Sequence, residues 1–466
     1  MTPVRSTQQR GMAALTVVMV LFFVMAMLAA YTNRNLVFEQ RISANSYRAT
    51  RALEAADAGV EWSIGMLNAG RITATCTPAE PDQAAVLTDF RSRYLVPATD
   101  DSNGEGAFSV PWGQVPANRV YPTCVIVNGA PRCACPAMGQ AAEAINVPAD
   151  GVASAFRITF RLFNDDTVRG GAVQLVSRGC SNPGAGDTSC IAQNNNAPAV
   201  DGSTSVITTL GLVRALPVAP KATLTAGTTI TATAPGALKV YNADLQSQTR
   251  GTVHSGGILS FSEDSRFVSG SPRGVTDLGK VTDAARAEGA ASLDKFFGVV
   301  DQDTELSNLA AQGTDAWFRS QFVLDAGSYQ RQPAVVRLDC AAGCNRARIA
   351  AALVLNPRNP IWANGDVDLD AAAGGVVDDL GTAANPMMLI VNGNLTISGD
   401  ATIRGFAHAN QITWSAPAAT WDGALVSATS FTATSVATLR YDKAVLDTIR
   451  LRYGSFVRAP GGWNLF

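Results

Sequence analysis

Met12-Ala-Ala-Leu-Thr-Val-Val-Met-Val-Leu-Phe-Phe-Val-Met-Ala-Met-Leu-Ala-Ala-Tyr31 is the stretch on which the reading of this chain turns. Its twenty residues carry no charge. At helical rise they span about 30 Å, the thickness of a bilayer's hydrocarbon core. Arg5 and Arg10 stand before it and no acid does. Positive flanks stay cytoplasmic, so the 435 residues beyond Tyr31 are expected on the other side of the membrane. A simple anchor fits this pattern. A cleaved secretory signal fits it poorly, because the apolar core is too long and Leu28-Ala29-Ala30 makes no clean A-x-A site.

Past the apolar run, Phe38, Ile42, Ala49, Leu53, Ala56, Val60, Ile64 and Leu67 recur in steps of three and four, with one gap near Asn45. That spacing predicts one face of a helix. Arg34, Arg41, Arg48 and Arg51 fill the remaining positions, against Glu39, Glu54, Asp57 and Glu61. No proline falls between Met12 and Arg71, so the simplest account is one continuous helix of about 58 residues, about 87 Å long. Its first half suits lipid or a bundle of like helices. Its second half needs a soluble head to cover the apolar stripe. Phe38, Ile42, Leu53 and Val60 mark the face expected to serve assembly.

Three segments together carry a resemblance. They are Arg10-Gly-Met-Ala-Ala-Leu15, Phe38-Glu-Gln-Arg-Ile-Ser-Ala-Asn-Ser46 and Ala52-Leu-Glu-Ala-Ala-Asp-Ala-Gly-Val-Glu61. The chain resembles PilX-type minor pilins of type IV pili over about its first 65 residues. That family has a Glu-Arg-Met-Ala-x-Asn segment, similar to Gln40–Asn45, and an Ala-x-Glu-Ala-Ala segment, matched at Ala52–Ala56. Asp57 stands where the family more often has Glu. The resemblance implies a prepilin-type leader over residues 1–11, cut on the cytoplasmic side between Gly11 and Met12 by a prepilin peptidase. Met12 would then be the mature N-terminus, methylated as in the family. It implies a non-enzymatic structural subunit whose partners are other minor and major pilins. The expected location is the inner membrane, single-pass with a large periplasmic domain, and the pilus tip after assembly. One departure matters. Major pilins usually carry Glu at the fifth mature position, where its carboxylate neutralises a neighbouring terminal amine; here that residue is Thr16. Its absence resembles tip or priming subunits of pili and of type II secretion pseudopili, and implies a few copies per filament.

Composition bounds the rest. Of 466 residues, 47% are hydrophobic and only 16% charged, with 41 glycines. This is the profile of a Gly-rich, β-rich exported protein of two or three domains. Net charge is −2, or −4 without the two leader arginines. No basic cluster or aromatic–basic interleaving occurs, so nucleic acid is not an expected partner. Cys76, Cys124, Cys133, Cys135, Cys180, Cys190, Cys340 and Cys344 all lie beyond the apolar stretch, and an even number in an exported chain favours disulfides. Cys180 with Cys190 closes a turn-rich loop, and Cys340 with Cys344 closes a small ring. Cys124 pairs with Cys133 or Cys135 across the Asn128-Gly129 turn, leaving the other for Cys76. Zinc is the rival use of these thiols, but no C-x-x-C occurs and His254 and His408 are remote in sequence.

The expected fold class is α+β: a long N-terminal transmembrane and amphipathic helix, an antiparallel pilin-like sheet and a C-terminal β-solenoid-like domain with a helical insertion. The helix fills residues 12–70 and the pilin-like head residues 71–215. A short helix is expected around Gln83–Tyr94, then strands at Arg119–Val127, Phe156–Phe163, Ala172–Ser177 and Ser203–Val213, separated by turn residues. Residues 216–466 read as the solenoid-like domain, with strands at Thr223–Thr233, Ala237–Tyr241 and Thr252–Phe261 and a helical insertion at about 282–320. Met387–Asn392, Gly405–Asn410 and Gly423–Ala428 begin 18 residues apart, a period that suggests coils. A sandwich is the rival. Tyr441–Tyr453 reads as a capping helix before Pro460-Gly461-Gly462-Trp463.

Catalytic motifs are absent: there is no G-x-S-x-G, P-loop, G-x-G-x-x-G or H-E-x-x-H. No cofactor is expected. His254 and His408 sit among small and apolar neighbours and read as structural. Asp366, Asp368 and Asp370 alternate like the first half of a calcium loop. Ala371 replaces the loop glycine and Val377 the bidentate glutamate, so metal is a weak reading beside a strand that shows its acids to water. Two other functions compete with the pilin. One is a membrane-anchored solenoid enzyme acting on polysaccharide, with Asp378, Asp379, Trp414 and Trp421 as its local candidates. The other is a type II secretion minor pseudopilin.

Overall fold

In the computed structural model, the described residues are 10–83, 87–97, 108–109, 121–137, 140, 145, 153–161, 171–182, 202–242, 251–269, 298–371 and 379–465. One helix, Arg10–Asn68, runs unbroken for 59 residues. Its continuity follows from the lack of proline and the supply of Ala, Leu and Met, which lose little side-chain freedom in a helix.

The upper part of this helix lies across a six-stranded antiparallel sheet. The strand order is Gly454–Leu465, Ser203–Arg214, Ala172–Cys180, Ser154–Arg161, Thr123–Val127 and Ala130–Ala134. The last two form a hairpin turned by Asn128 (φ 52°) and Gly129 (φ 77°), a pair suited to left-handed backbone. Its register sets Cys124 opposite Cys133, and the two are bridged. A second bridge joins Cys76, just past the helix, to Cys135. Cys180 is oxidised, but the expected partner Cys190 lies outside the described residues. The core between helix and sheet holds Val60, Leu67, Phe90, Tyr94, Phe156, Ile158 and Leu210. Trp62 packs edge-on against Phe90, with ring centroids 5.6 Å apart.

The second body is a curled sheet of sixteen strands, all its described pairings parallel. Met387 pairs with Gly405 and Gly405 with Gly423, so the 18-residue period of the sequence is the register of the sheet. Gly423 (φ 139°) stands where a Cβ would collide with the Gly405 carbonyl oxygen; only glycine tolerates both the backbone and the closeness. Parallel to this run, Asn394–Ile397, Gln411–Trp414 and Phe431–Ala433 pair in turn. Inward side chains fill one core with Leu389, Ala407, Leu425, Leu395, Ile412 and Phe431. Outside, Arg404, Asp422 and Arg440 fall in register on three neighbouring strands, with Asp422 3.7 Å from each arginine.

Four features depart from expectation. The chain order is not the stacking order: Ala222–Ala226 pairs with Thr420–Ser427 on one side and Gly251–Ser255 on the other, so the early strands extend the late ones. The boundary at 216–466 does not hold at its end. After the helix Lys443–Arg452, the strand Gly454–Leu465 leaves the parallel sheet and pairs antiparallel with Ser203–Arg214, closing the first sheet with the last residues of the chain. The helical insertion reaches past 320: Thr304–Ala311, Thr314–Phe322 and Ala326–Tyr329 are helical, while Leu293, Phe296 and Phe297 lie outside the described residues. Among the described residues of Gln83–Tyr94, Phe90–Tyr94 is helical, started by Asp89, whose carboxylate accepts from the Ser92 amide at 2.9 Å.

Candidate assembly interface

The long helix is the candidate site, and what covers it changes abruptly along its length. From Ala14 to Thr50 every residue is exposed. From Ala52 onward one face is buried: Ala52, Ala55, Ala56, Val60, Ser63 and Leu67 are each within 1% of full burial. The change comes where the residues become small. A Cβ on Gly179 would collide with the carbonyl oxygen of Ala52 and the amide of Ala56. A Cβ on Gly59 would meet Ser177 Oγ and the Phe156 ring. Helix and sheet thus touch backbone to backbone, which the Ala-Leu-Glu-Ala-Ala segment permits and larger residues would prevent. Outside this contact, Arg458 of the last strand holds Glu61 at 2.6 Å and Asp57 at 3.6 Å.

The top of the helix ends in a buried polar knot. The Arg91 guanidinium donates to the Leu67 carbonyl, to Asn68 Oδ1 at 3.2 Å and to the Gly454 carbonyl at 2.6 Å, and lies over the Phe456 ring at 4.9 Å. A cation at a helix C-terminus is favourable because the last carbonyls carry partial negative charge. Burial pulls Arg91 down to about 10, still charged at neutral pH. Asn68 Nδ2 donates to the Phe456 carbonyl at 2.9 Å, and its Oδ1 accepts from the Phe456 amide at 2.8 Å. Asn359, just ahead of the parallel strand Ile361–Leu369, donates to the Asn68 carbonyl at 2.9 Å. One residue of the helix therefore bonds both the last strand of the antiparallel sheet and the turn that leads into the parallel one. Nothing in the local sequence marks Asn68 or Arg91 for this. The signal available was an arginine beside Phe90 in the short helix Phe90–Tyr94.

The sequence candidates are placed as follows. Gly11 and Met12 lie in the first turn of the helix, and Thr16 is exposed. Phe38 and Ile42 are 50% and 66% exposed, so the head does not cover the lower part of the expected stripe; Leu53 is half-buried and Val60 buried. Cys340 and Cys344 are bridged at the start of the parallel sheet. On Ile361–Leu369, Asp366 and Asp368 face solvent while Val367 and Leu369 are buried. Each acid already has a protein partner: Asp366 accepts from the Asn394 amide at 2.7 Å, Asp368 from Ser398 at 2.6 Å and Asp370 from the Arg346 amide at 3.0 Å. Among the described residues no three His, Cys, Asp or Glu side chains converge as a metal site requires.

The residues proposed for sugar binding are placed otherwise. Trp414 and Trp421 are wholly buried, donating to the Ala416 and Gly405 carbonyls at 2.9 and 3.0 Å, so neither presents a stacking face. Asp379 is held by Arg404 at 3.1 Å, and Asp378 lies outside the described residues. His254 bonds Asp303 at 2.7 Å. His408 is buried among Phe318 and Phe322, neither ring nitrogen has a partner among the described residues, and burial pulls it down to about 4.

Residues 10–61 match the sequence model of the PilX N-terminal family. The first part of the long helix is thus similar to that family, and the likeness covers about a ninth of the chain. That segment is one helix whose span from Ala14 is long and apolar enough to cross a membrane. The crystal structure of the competence-associated pilin ComZ from Thermus thermophilus is similar over 90% of this chain and 97% of its own, at 12% identity and a TM-score of 0.22. At that score the likeness carries no structural argument. No curated protein matches the chain in sequence. The PilX-type segment ends at Glu61, among the buried alanines, so it takes in all of the uncovered helix and the first three turns of the covered part.

Proposed function

We propose that the protein is a minor pilin or pseudopilin, a structural subunit that primes or caps a type IV pilus-like filament. The observation that carries this is the helix from Ala14 to Thr50, exposed all round on a chain that buries one face of the same helix from Ala52 onward. About 37 residues of uncovered helix are about 55 Å of surface that neither bilayer nor head can fill alone. In the membrane the uncharged part is covered by lipid; in a filament the whole length is covered by other subunits' helices, with no reorganisation of the head. The leader over residues 1–11 is removed between Gly11 and Met12 by a prepilin peptidase, which leaves this helix on the mature chain. Before assembly the protein spans the inner membrane once with its head in the periplasm.

The bulk of the head supports a terminal place. We read residues 71–215 with the returning strand Gly454–Leu465 as the pilin-like domain, and the parallel sheet between them as a β-solenoid carried on top. Identical heads of this size crowd one another on a thin shaft, and Thr16 supplies no carboxylate for repeated docking. The protein then occurs in a few copies at the tip, where the solenoid is available for adhesion. Intact-mass analysis with and without a prepilin peptidase, followed by quantitative mass spectrometry of sheared filaments, tests this. The expected result is a mature chain starting at Met12 at a small mole fraction. A mature N-terminus near Tyr31, or a chain abundant in the shaft, refutes it.

A further inference from the structure

The curled parallel sheet turns two kinds of surface outward. On one, Arg404, Asp422 and Arg440 stand in line. On the other, the short strands repeat one pattern: Thr396-Ile397-Ser398, Thr413-Trp414-Ser415, Thr432-Ala433-Thr434, Thr231-Ala232-Thr233 and Ser260-Phe261-Ser262. The middle residue of each triplet packs into the core, and the hydroxyl residues beside it are half-buried or exposed. Register aligns them: Thr396 pairs with Thr413, Thr413 with Thr432, Thr432 with Thr231 and Thr231 with Ser260. Neighbouring strands lie about 4.8 Å apart and alternate residues about 6.6 Å, so the hydroxyls make a two-dimensional lattice with those repeats. The triplets contain no charge; the strand at the border carries Asp368, which pairs with Thr396 and accepts from Ser398 at 2.6 Å. Thr434 reaches the Trp414 carbonyl at 3.4 Å, whereas the hydroxyls of Thr231, Thr396, Thr413 and Thr432 have no hydrogen-bond partner among the described residues. Strand propensity alone does not ask for such a surface, since the other one belongs to the same sheet and is charged.

We propose that this hydroxyl lattice binds the surface of ice. Charge complementarity asks for a neutral occupant, because the triplets hold no charge to answer one. Protein partners are anchored by aromatic and arginine side chains in desolvated pockets, and the lattice presents neither. A glycan would stack its ring faces on aromatic side chains, but Trp414 is wholly buried and Phe261 packs against the core. Ice needs no such anchor. It is a neutral array of donors and acceptors, and on its prism faces the oxygens recur at nearly the two repeats of the lattice. A hydroxyl both donates and accepts, so each threonine can take the place of one water of the crystal. Its methyl cannot bond water and orders the waters around it. Branching at Cβ holds both groups in a fixed direction, so little freedom is lost on binding. The filament reading above says only where such a surface would be carried. Binding to ice is a property of the chain by itself, so the two fail separately.

The test follows the fluorescently labelled full-length chain, in detergent micelles, while a single ice crystal grows slowly through the solution. The unaltered chain is expected to enter the ice. So is a control carrying Thr420→Lys and Thr438→Lys, two half-buried threonines paired on the charged side of the sheet. Thr413→Lys with Thr432→Lys sets two charges inside the lattice and should leave the chain in the liquid. Urea titration of each variant accompanies the assay, and Thr413→Lys alone takes the place of the pair if the pair unfolds early. Exclusion of the unaltered chain from ice, or equal entry of the two double variants, overturns the proposal. If the excluded chain is instead retained on crystalline cellulose or chitin, and the lattice variant is not, the lattice belongs to a neutral glycan. A chain that enters ice but is never cut after Gly11, or never found in filaments, upholds this proposal and counts against the filament reading.

Discussion

The lower half of the long helix is its more apolar half, and it is the half the protein leaves uncovered. From Ala14 to Thr50 everything is exposed, including Phe22 at 74% and Ile42 at 66%; from Ala52 the buried face is largely alanine, serine and valine. Hydropathy therefore does not predict which half is wrapped. Shape does: Gly179 brings the sheet against the backbone of Ala52 and Ala56, Gly59 lets Ser177 and Phe156 close on the helix, and small residues are what such contact admits. The apolar half is long and apolar enough to cross a membrane. Sequence changes in the two halves should accordingly fail in different ways.

The largest expected effect is at the top of the covered half. Arg91→Leu removes the donors that satisfy the carbonyls of Leu67 and Gly454 and the side chain of Asn68 in a buried site. Leaving such groups unpaired costs about 1–3 kcal/mol each, so chemical denaturation should show the head weakened by at least about 3 kcal/mol. A loss under about 1 kcal/mol would mean that water replaces the guanidinium.

A pH-dependent effect of similar size is expected in the other body. His408 is buried without a hydrogen-bond partner among the described residues and lowered to about 4, whereas an unfolded histidine titrates near 6.5. The unfolded chain then binds more protons between those values. The neutral ring's contribution is whole above about pH 6.5 and is lost as pH falls toward 4, to a total of about 3 kcal/mol. Urea titrations at pH 7 and pH 4.5 compare it with His408→Phe, which should show a shallower slope. An unchanged slope would place the acid sensitivity elsewhere.

Gly179→Ala comes next. The added methyl meets the backbone of Ala52 and Ala56, which cannot swing aside as a side chain would. A loss of about 1–3 kcal/mol is expected, with faster amide exchange over Ala52–Leu67 and no change below Arg48. Exchange rising in both halves would show that the two are one cooperative unit.

The smallest effect on stability, and the largest on assembly, should come from Phe38→Ser combined with Ile42→Ser. Both side chains are exposed, so denaturation of the head should shift by less than about 0.5 kcal/mol. Incorporation into filaments should drop sharply by mass spectrometry. Normal incorporation would remove this face from the assembly surface.

What the sequence determined on its own was local. An uncharged run, no proline and a three-and-four spacing specify a continuous helix, because each constrains neighbours within two turns. Strand positions follow from alternation, as at Asp366-Val-Asp-Leu, and the 18-residue spacing of Met387, Gly405 and Gly423 survives as strand register. Tertiary structure alone decided which strands meet. Parallel strands with apolar residues on one face accept many neighbours, so nothing local directs Ala222–Ala226 to Thr420–Ser427. The same holds for the return of Gly454–Leu465 to Ser203–Arg214, some 240 residues earlier, and for the knot in which Arg91 binds Leu67, Asn68 and Gly454. Those pairings are selected by summed packing over whole surfaces and by closure of buried hydrogen bonds, and neither quantity is carried by any one segment.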